Sequence, residues 1–259
     1  MISKCFIGNR WNLLEKFGFT PVKEGDMFLY THNKSYTSGA NLSDFNNDMS
    51  REVTISELLC MLEQSYTSTI VEMFESHIKM FQKHNTPNIH KQIMYFAKVI
   101  VDCVKSGHKV LIAGNGGSAA DAQHFAAELV VRFKKNRQGI PAIALTTDTS
   151  VLTAIVNDFG ALHMFSRQIV SLGKPRDILI AISTSGNSEN ILEAIDAAHN
   201  NGMGVIALTG KVGGEIKNLV TDPDLFIVNE QETGRIQEMH EFILHAIAEL
   251  VENQFPATE

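Results

Sequence analysis

The sequence predicts an α/β fold: a five-stranded parallel sheet with helices on both faces, preceded by two long helices. Three observations carry this expectation. From Gly107 onward, short apolar runs alternate with helix-length stretches. The runs are continuously apolar, as strands buried on both faces are. Ahead of Gly107, residues 54–106 carry apolar side chains at spacings of three and four, the period of an amphipathic helix.

Residues 1–52 are mixed in composition, with turn-rich stretches at 23–26 and 41–48. A short helix over 11–18 and a short strand at 27–30 are expected there, and no chemistry attaches to them. This segment is read as an extension of unknown role, and 53–259 as one domain that includes the helical pair 54–106. The first helix opens on TISE, a capping-box pattern, and carries Ile55, Leu58, Leu59, Leu62, Tyr66, Ile70, Met73 and Phe74 on one face. HNTPN (84–88) breaks it from a second helix over 89–106, with Ile93, Phe96, Ile100 and Val104 along one side. Strands are expected at 109–114, 141–145, 177–183, 204–210 and 224–228. The helical stretches between and after them fall at 118–134, 149–157, 162–171, 188–201 and 233–253. In such sheets ligands gather at the carboxyl ends of the strands.

The bulk numbers narrow the function. A net charge of −7 and a pI near 5.8 argue against nucleic-acid or anionic-membrane binding. No window approaches a membrane span. The cysteines, Cys5, Cys60 and Cys103, are few, odd in number and far apart, which fits a reducing compartment, with the cytoplasm as the default.

Three motifs carry chemistry. In AGNGGSAADAQHFAAEL (113–129), Gly114, Gly116 and Gly117 permit a sharp turn. Ser118 is placed to cap the next helix, and the open amides suit a polyhydroxy or anionic ligand. A packing turn would look the same. His124 and Glu128 stand at i, i+4, where an imidazole and a carboxylate can bind metal or act as base and partner, or form a solvated surface pair. In AISTSGNSENI (181–191), Ser183, Thr184, Ser185 and Ser188 cluster between a strand and a helix N-terminus, a phosphate cradle that needs no Lys or Arg. Simple capping would need only one of them. In ETGRIQEMHEFILHAIAELVE (232–252), Gln237, Glu241 and His245 share a face, and Gln237 and His245 could meet His124 and Glu128 across helices. His240 lies off that stripe and is read as a surface or interface residue.

GNGGSAADAQHFAAEL, ALTTDTSVLTAIVNDFG, SRQI, AISTSGNS, ALTGKVGG and TGRIQEMHEFILH, in that order, closely resemble the phosphoheptose isomerases of the sugar isomerase (SIS) superfamily, over about 55–252. The resemblance implies a flavodoxin-like SIS fold. It also implies aldose–ketose isomerisation of D-sedoheptulose 7-phosphate to D-glycero-D-manno-heptose 7-phosphate, the first step toward heptose precursors of lipopolysaccharide or surface glycans. It implies Glu128 as base and His245 as acid. One zinc per subunit is implied on His124, Glu128, Gln237 and His245. Substrate contacts are implied for Asn115, Gly116, Gly117, Glu128, Asn157, Asp158, Ser183, Thr184, Ser185, Ser188 and Gln237. Asn157 and Asp158 also suit a turn. Arg132, at i+4 from Glu128, is placed to pair with it or steer the phosphate. A homotetramer with sites between subunits is implied as well.

The chain departs from the pattern where some members have an aspartate before RIQE: here stand Thr233 and Gly234. Residues 1–52 have no counterpart in the family core. Two other readings stay open: a non-catalytic paralogue that binds a replication initiator, which LTTDTSVLTAI somewhat resembles, and a phosphosugar-sensing regulator. The first needs neither Glu128 nor His245, and the second usually accompanies a DNA-binding helix-turn-helix, for which residues 1–52 show no basic recognition helix.

Overall fold

The computed structural model describes residues 55–258 and two short strands further upstream. By Cα packing the chain divides into two units, Met1–Ser76 and His77–Glu259. In the first unit β1 (Val22–Glu24) pairs antiparallel with β2 (Met27–Leu29). The strand expected at 27–30 is present, and its partner was not foreseen. The helix expected at 11–18 and the TISE capping threonine lie outside the described residues. The first long helix, α1 (Ile55–His84), begins in this unit. Its periodic residues Tyr66, Ile70, Met73 and Phe74 are all exposed, each by half or more.

The second unit holds the α/β layer. The helix α2 (Pro87–Lys105) begins at Thr86, with Pro87 in the first turn where its missing N–H costs nothing. Then follow β3 (Val110–Gly114), α3 (Gly117–Val130), β4 (Ala142–Ala144), α4 (Thr149–Phe159), α5 (Ser166–Leu172), β5 (Ile178–Ser183), α6 (Glu189–Asn200), β6 (Gly204–Gly210), β7 (Leu225–Val228) and α7 (Thr233–Glu252). The five strands are parallel in the order β4-β3-β5-β6-β7. Alternate side chains face opposite ways. Val110, Ile112, Ile178, Ile180, Ile182, Ile206 and Leu208 pack under α2, α3 and α7. Leu111, Ala113, Leu179, Ala181, Val205 and Ala207 pack under α5 and α6. Both faces are therefore covered, and the strands are apolar throughout for that reason.

Two expected helices change. The stretch over 118–134 ends at Val130, because the chain turns out to serve a buried acid at the far end of α7. Glu252 accepts hydrogen bonds from the backbone N–H of Phe133, Lys134 and Lys135 at 2.9, 2.8 and 2.7 Å. Arg137 donates to the carbonyls of Leu129 and Glu128, both at 2.7 Å, satisfying acceptors that the helix end leaves open. The stretch over 162–171 is divided: Gly160 ends α4 at φ 89°, a single 3-10 turn spans Ala161–His163, and α5 starts only at Ser166.

The sheet order makes β3 and β5 the point where the connections change direction. A crevice opens there at the carboxyl ends of the strands. The glycine loop follows β3 and the hydroxyl loop follows β5, so two of the three motifs border it.

Candidate active site

The loop after β3 enters α3 through Gly116, at φ 55° and ψ −119°, with no side-chain cap. The expectation that Ser118 caps this helix is corrected: Ser118 lies inside the first turn and is buried. A Cβ on Gly117 would fall 2.3 Å from the carboxamide of Gln237, the mobile end of a long side chain, so the contact marks proximity and not a need for glycine. Gln237, on the first turns of α7, thus lies over the glycine loop. Asn115 and Asn190 exchange amide hydrogen bonds at 2.8 and 3.0 Å, which ties the loop after β3 to the start of α6.

The hydroxyl loop is compact. The Ser183 and Ser188 hydroxyls lie 3.1 Å apart, and Ser185 Oγ accepts from the Asn187 N–H at 3.1 Å. Ser188 is the N-cap residue of α6, yet its side chain makes no capping bond; the Ile191 N–H donates to the Ser188 carbonyl at 2.9 Å, which leaves the amides of Glu189 and Asn190 for another acceptor. Gly186 has φ 68°, and a Cβ on it would collide with the Gly213 carbonyl at 2.2 Å, so the loops after β5 and β6 close together only with glycine there. Thr184 is half-buried beside them.

The third motif meets the first through Glu241 and His245, while Gln237 lies over Gly117 and not beside His124 or Glu128. His124 and Glu128 on α3 face Glu241 and His245 on α7. His124 Nε2 lies 3.0 Å from Glu128 Oε1, and its Nδ1 lies 2.5 Å from Glu241 Oε1. The same Glu241 oxygen lies 3.2 Å from His245 Nε2. The two imidazoles meet edge to face at 4.9 Å, and Phe133 stacks on His245 at 5.5 Å. Glu128 and His245 therefore converge on one ring, that of His124.

Other expected residues stand apart. Asn157 and Asp158 form no turn; they occupy the exposed last turn of α4 and hydrogen-bond to each other at 2.7 Å. Asn157 also borders a shallow apolar depression with Leu152, Thr153, Val156 and Met164. Arg132 is exposed beyond the end of α3, and no ion pair joins it to Glu128. His240 is corrected outright. It is fully buried, with its Nε2 3.0 Å from the Thr209 carbonyl, and burial pushes it down to about 4 against that bond. It was legible after all, because it stands at i+4 from Ile236 and i−3 from Ile243, on the apolar stripe of α7.

Three participants went unassigned in the sequence. Glu241 was visible on the Gln237–His245 face but was given no role. Asp121, one turn before His124, has a buried Oδ2 with no hydrogen-bond partner. Its carboxyl is raised to about 6 by burial and then by the Glu241 charge, with His124 opposing. Phe133 comes from the loop that Glu252 holds, and no local pattern points to it. Among the described residues, His124, Glu241 and His245 are the one group of three whose donor atoms lie close enough to share a metal ion, all within 4.8 Å of one another. No described helix is long and apolar enough to cross a membrane.

Comparison with known proteins is consistent on the family. The SIS domain model matches residues 73–210. The chain is 51% identical over 181 residues to the phosphoheptose isomerase of Campylobacter concisus, covering 70% of this chain and 94% of that one. Among solved structures it is similar to the phosphoheptose isomerase of Neisseria gonorrhoeae (TM-score 0.68, 42% identity, 73% of this chain and 99% of the other). It is also similar to that of Francisella tularensis (TM-score 0.69, 39% identity, 73% and 98%). With this fold, this meeting of α3 and α7, and these relatives, the chain belongs to the phosphoheptose isomerases of the SIS-domain family.

Proposed function

We propose that this isomerase interconverts D-sedoheptulose 7-phosphate and D-glycero-D-manno-heptose 7-phosphate, with Glu128 as base and His245 as acid. The observation that carries the reading is the convergence of Glu128 and His245 on the His124 ring, beside the crevice between β3 and β5. A ketose-to-aldose shift moves a proton from C1 to C2 through an enediol. The Glu128 carboxylate takes the C1 proton while His245 protonates the carbonyl oxygen at C2. The oxygen at C1 then loses its proton as C2 regains one, and the aldehyde forms.

The hydroxyl loop serves the far end of the substrate. Ser183, Thr184, Ser185 and Ser188, with the uncapped amides of α6, supply donors for the phosphate without a cation. Asn115, Gly116, Gly117 and Gln237 line the sugar's path along the glycine loop, and Asn157 and Asp158 are the remaining family contacts. The donors at the α3–α7 seam fit zinc: two imidazoles and carboxylate oxygen form an acceptable set. His124 and His245 would hold it, together with a carboxylate. Such an ion supplies Lewis acidity toward the sugar oxygens.

The assembly we assign is a homotetramer in the cytoplasm. The exposed apolar face over Tyr66, Ile70, Val71, Met73 and Phe74 supplies material for it, and light scattering of the purified chain tests it. Residues 1–52 are an extension outside the catalytic domain. The initiator-binding and phosphosugar-sensing readings require no acid–base pair, so Glu128 and His245 tell against both. Glu128→Gln should slow exchange of the C1 and C2 protons with deuterated solvent, followed by NMR on sedoheptulose 7-phosphate, by about 10²–10⁴-fold, and His245→Ala should slow turnover as much. Turnover within about tenfold of the native chain in either well-folded variant rejects the assigned role.

A further inference from the structure

Beyond the last rung that β3 and β5 share, Gly114 beside Ile182, the two strands part into separate loops. Each loop is braced by its own neighbours. The glycine loop runs straight into α3, where the Ala119 and Ala120 N–H groups donate to the Gly116 carbonyl at 3.1 and 3.3 Å. The hydroxyl loop is held by the chain after β6. The Ile216 N–H donates to the Gly186 carbonyl at 3.0 Å, and the Glu215 N–H to Asn187 Oδ1 at 2.9 Å. Neither loop depends on the other for its shape. What joins them is a pair of carboxamides, Asn115 and Asn190, each donating to and accepting from the other.

Such a pair fixes orientation as well as distance. A carboxamide has two N–H donors and an oxygen with two lone pairs. The ring between Asn115 and Asn190 uses one donor and one lone pair of each, so Asn115 keeps a spare N–H and a spare lone pair. Turning either amide alone would set oxygen against oxygen and nitrogen against nitrogen. Asn115 is exposed, so its spare groups are open to a ligand, and their direction is set by Asn190. Asn190 is also the second residue of α6, and its backbone amide is one of those left for another acceptor. One residue thus meets the phosphate cradle with its backbone and the glycine loop with its side chain.

We propose that Asn190 is a positioning residue for the sugar phosphate: through its amide pair with Asn115 it sets the register of the glycine loop against the phosphate cradle, and with it the placement of the reacting carbons relative to the anchored phosphate. The role rests on the isomerase reading. It matters only to a ligand that spans both loops; an anion that fills the cradle alone does not sense it. A shift of about 1 Å in a reacting group can cost on the order of 100-fold in rate, so a modest loss of register suffices.

The test uses the full chain and the variant Asn190→Ala, which keeps the backbone amide and places a good helix former in α6. Its kcat for sedoheptulose 7-phosphate should fall by about 10–100-fold. Competitive inhibition by inorganic phosphate, the probe of the cradle alone, should stay near the native value, as should the melting temperature. Asn115→Ala combined with Asn190→Ala should cost no more than Asn115→Ala alone, because Asn190 acts through Asn115. Losses that multiply in the double variant overturn the proposal. So does phosphate inhibition that weakens as far as kcat falls, since the cradle itself would then be damaged. Turnover in the native chain with an unchanged kcat in Asn190→Ala overturns this role alone, whereas a native chain that leaves sedoheptulose 7-phosphate untouched overturns the isomerase reading and this role with it.

Discussion

Two ionic clusters join the same pair of segments, one at each end of the contact between α3 and α7, and they are built on opposite terms. At one end Arg137 and Glu252 are both almost completely buried. Burial alone would raise the Glu252 carboxyl, but three backbone N–H groups and Arg137 outweigh it and hold it below its ordinary range. At the other end, about 16 Å along α7 at 1.5 Å per residue, His124, Glu128, Glu241 and His245 are only partly covered, and Asp121 is left with an unmet oxygen. The first cluster is closed on the protein's own groups, with only Arg137 Nε short of a hydrogen bond at 3.5 Å from Glu252, and acts as a fastener. The second pairs its side chains with one another but keeps them open to solvent, and that accessibility separates a candidate site from a structural ion pair in this molecule.

Substitutions should respect that division. The largest effect belongs to the open cluster. Glu128→Gln or His245→Ala should lower kcat by about 10²–10⁴-fold, the span of general acid–base catalysis, with urea unfolding little changed. Next comes the closed cluster. Glu252→Gln strips Arg137 of its charge partner and should cost about 3–5 kcal/mol in urea unfolding; a cost below 1 kcal/mol would erase the contrast.

A third effect sets His240 against His245 on one helix. The folded value of His240 is near 4 and its ordinary value is 6.5, so between those limits the unfolded chain binds a proton that the folded chain refuses. Its stabilisation is therefore complete above about pH 6.5 and fades as pH falls toward 4, by on the order of 3 kcal/mol. Urea unfolding at pH 7 and pH 5 should show this slope in the native chain and a flatter one in His240→Gln. The smallest effect is the control. Lys134 and Glu249 pair at 2.7 Å across the same seam but in solvent, and Glu249→Gln should change stability by no more than about 0.2–1 kcal/mol.

Much of this architecture was legible because its signals are local. Uninterrupted apolar runs such as VLIAG and ILIAIS mark strands covered on both faces, and glycine or hydroxyl clusters mark the loops that follow them. His124 and Glu128 read as a pair because four residues make one turn of helix. What escaped depends on partners far off in the chain. The early end of α3 is set by Glu252, and nothing in 131–137 announces that three amides will turn toward it. Glu241 was seen on its stripe, but its meaning comes from His124, on another helix. His240 was misread for a different reason: attention to the polar face of α7 obscured its place on the apolar one.

The turn that carries Phe133 is braced twice. Glu252 gathers its amides, and the chain beyond α7 returns to it, with Arg137 bridged to Ala257 and the Thr258 N–H donating to the Asn136 carbonyl at 2.9 Å. The aromatic wall against His245 thus hangs from the last residues described. A purification handle fused directly behind Thr258 would tug on that wall, and one placed at the opposite terminus is the better choice for kinetic work.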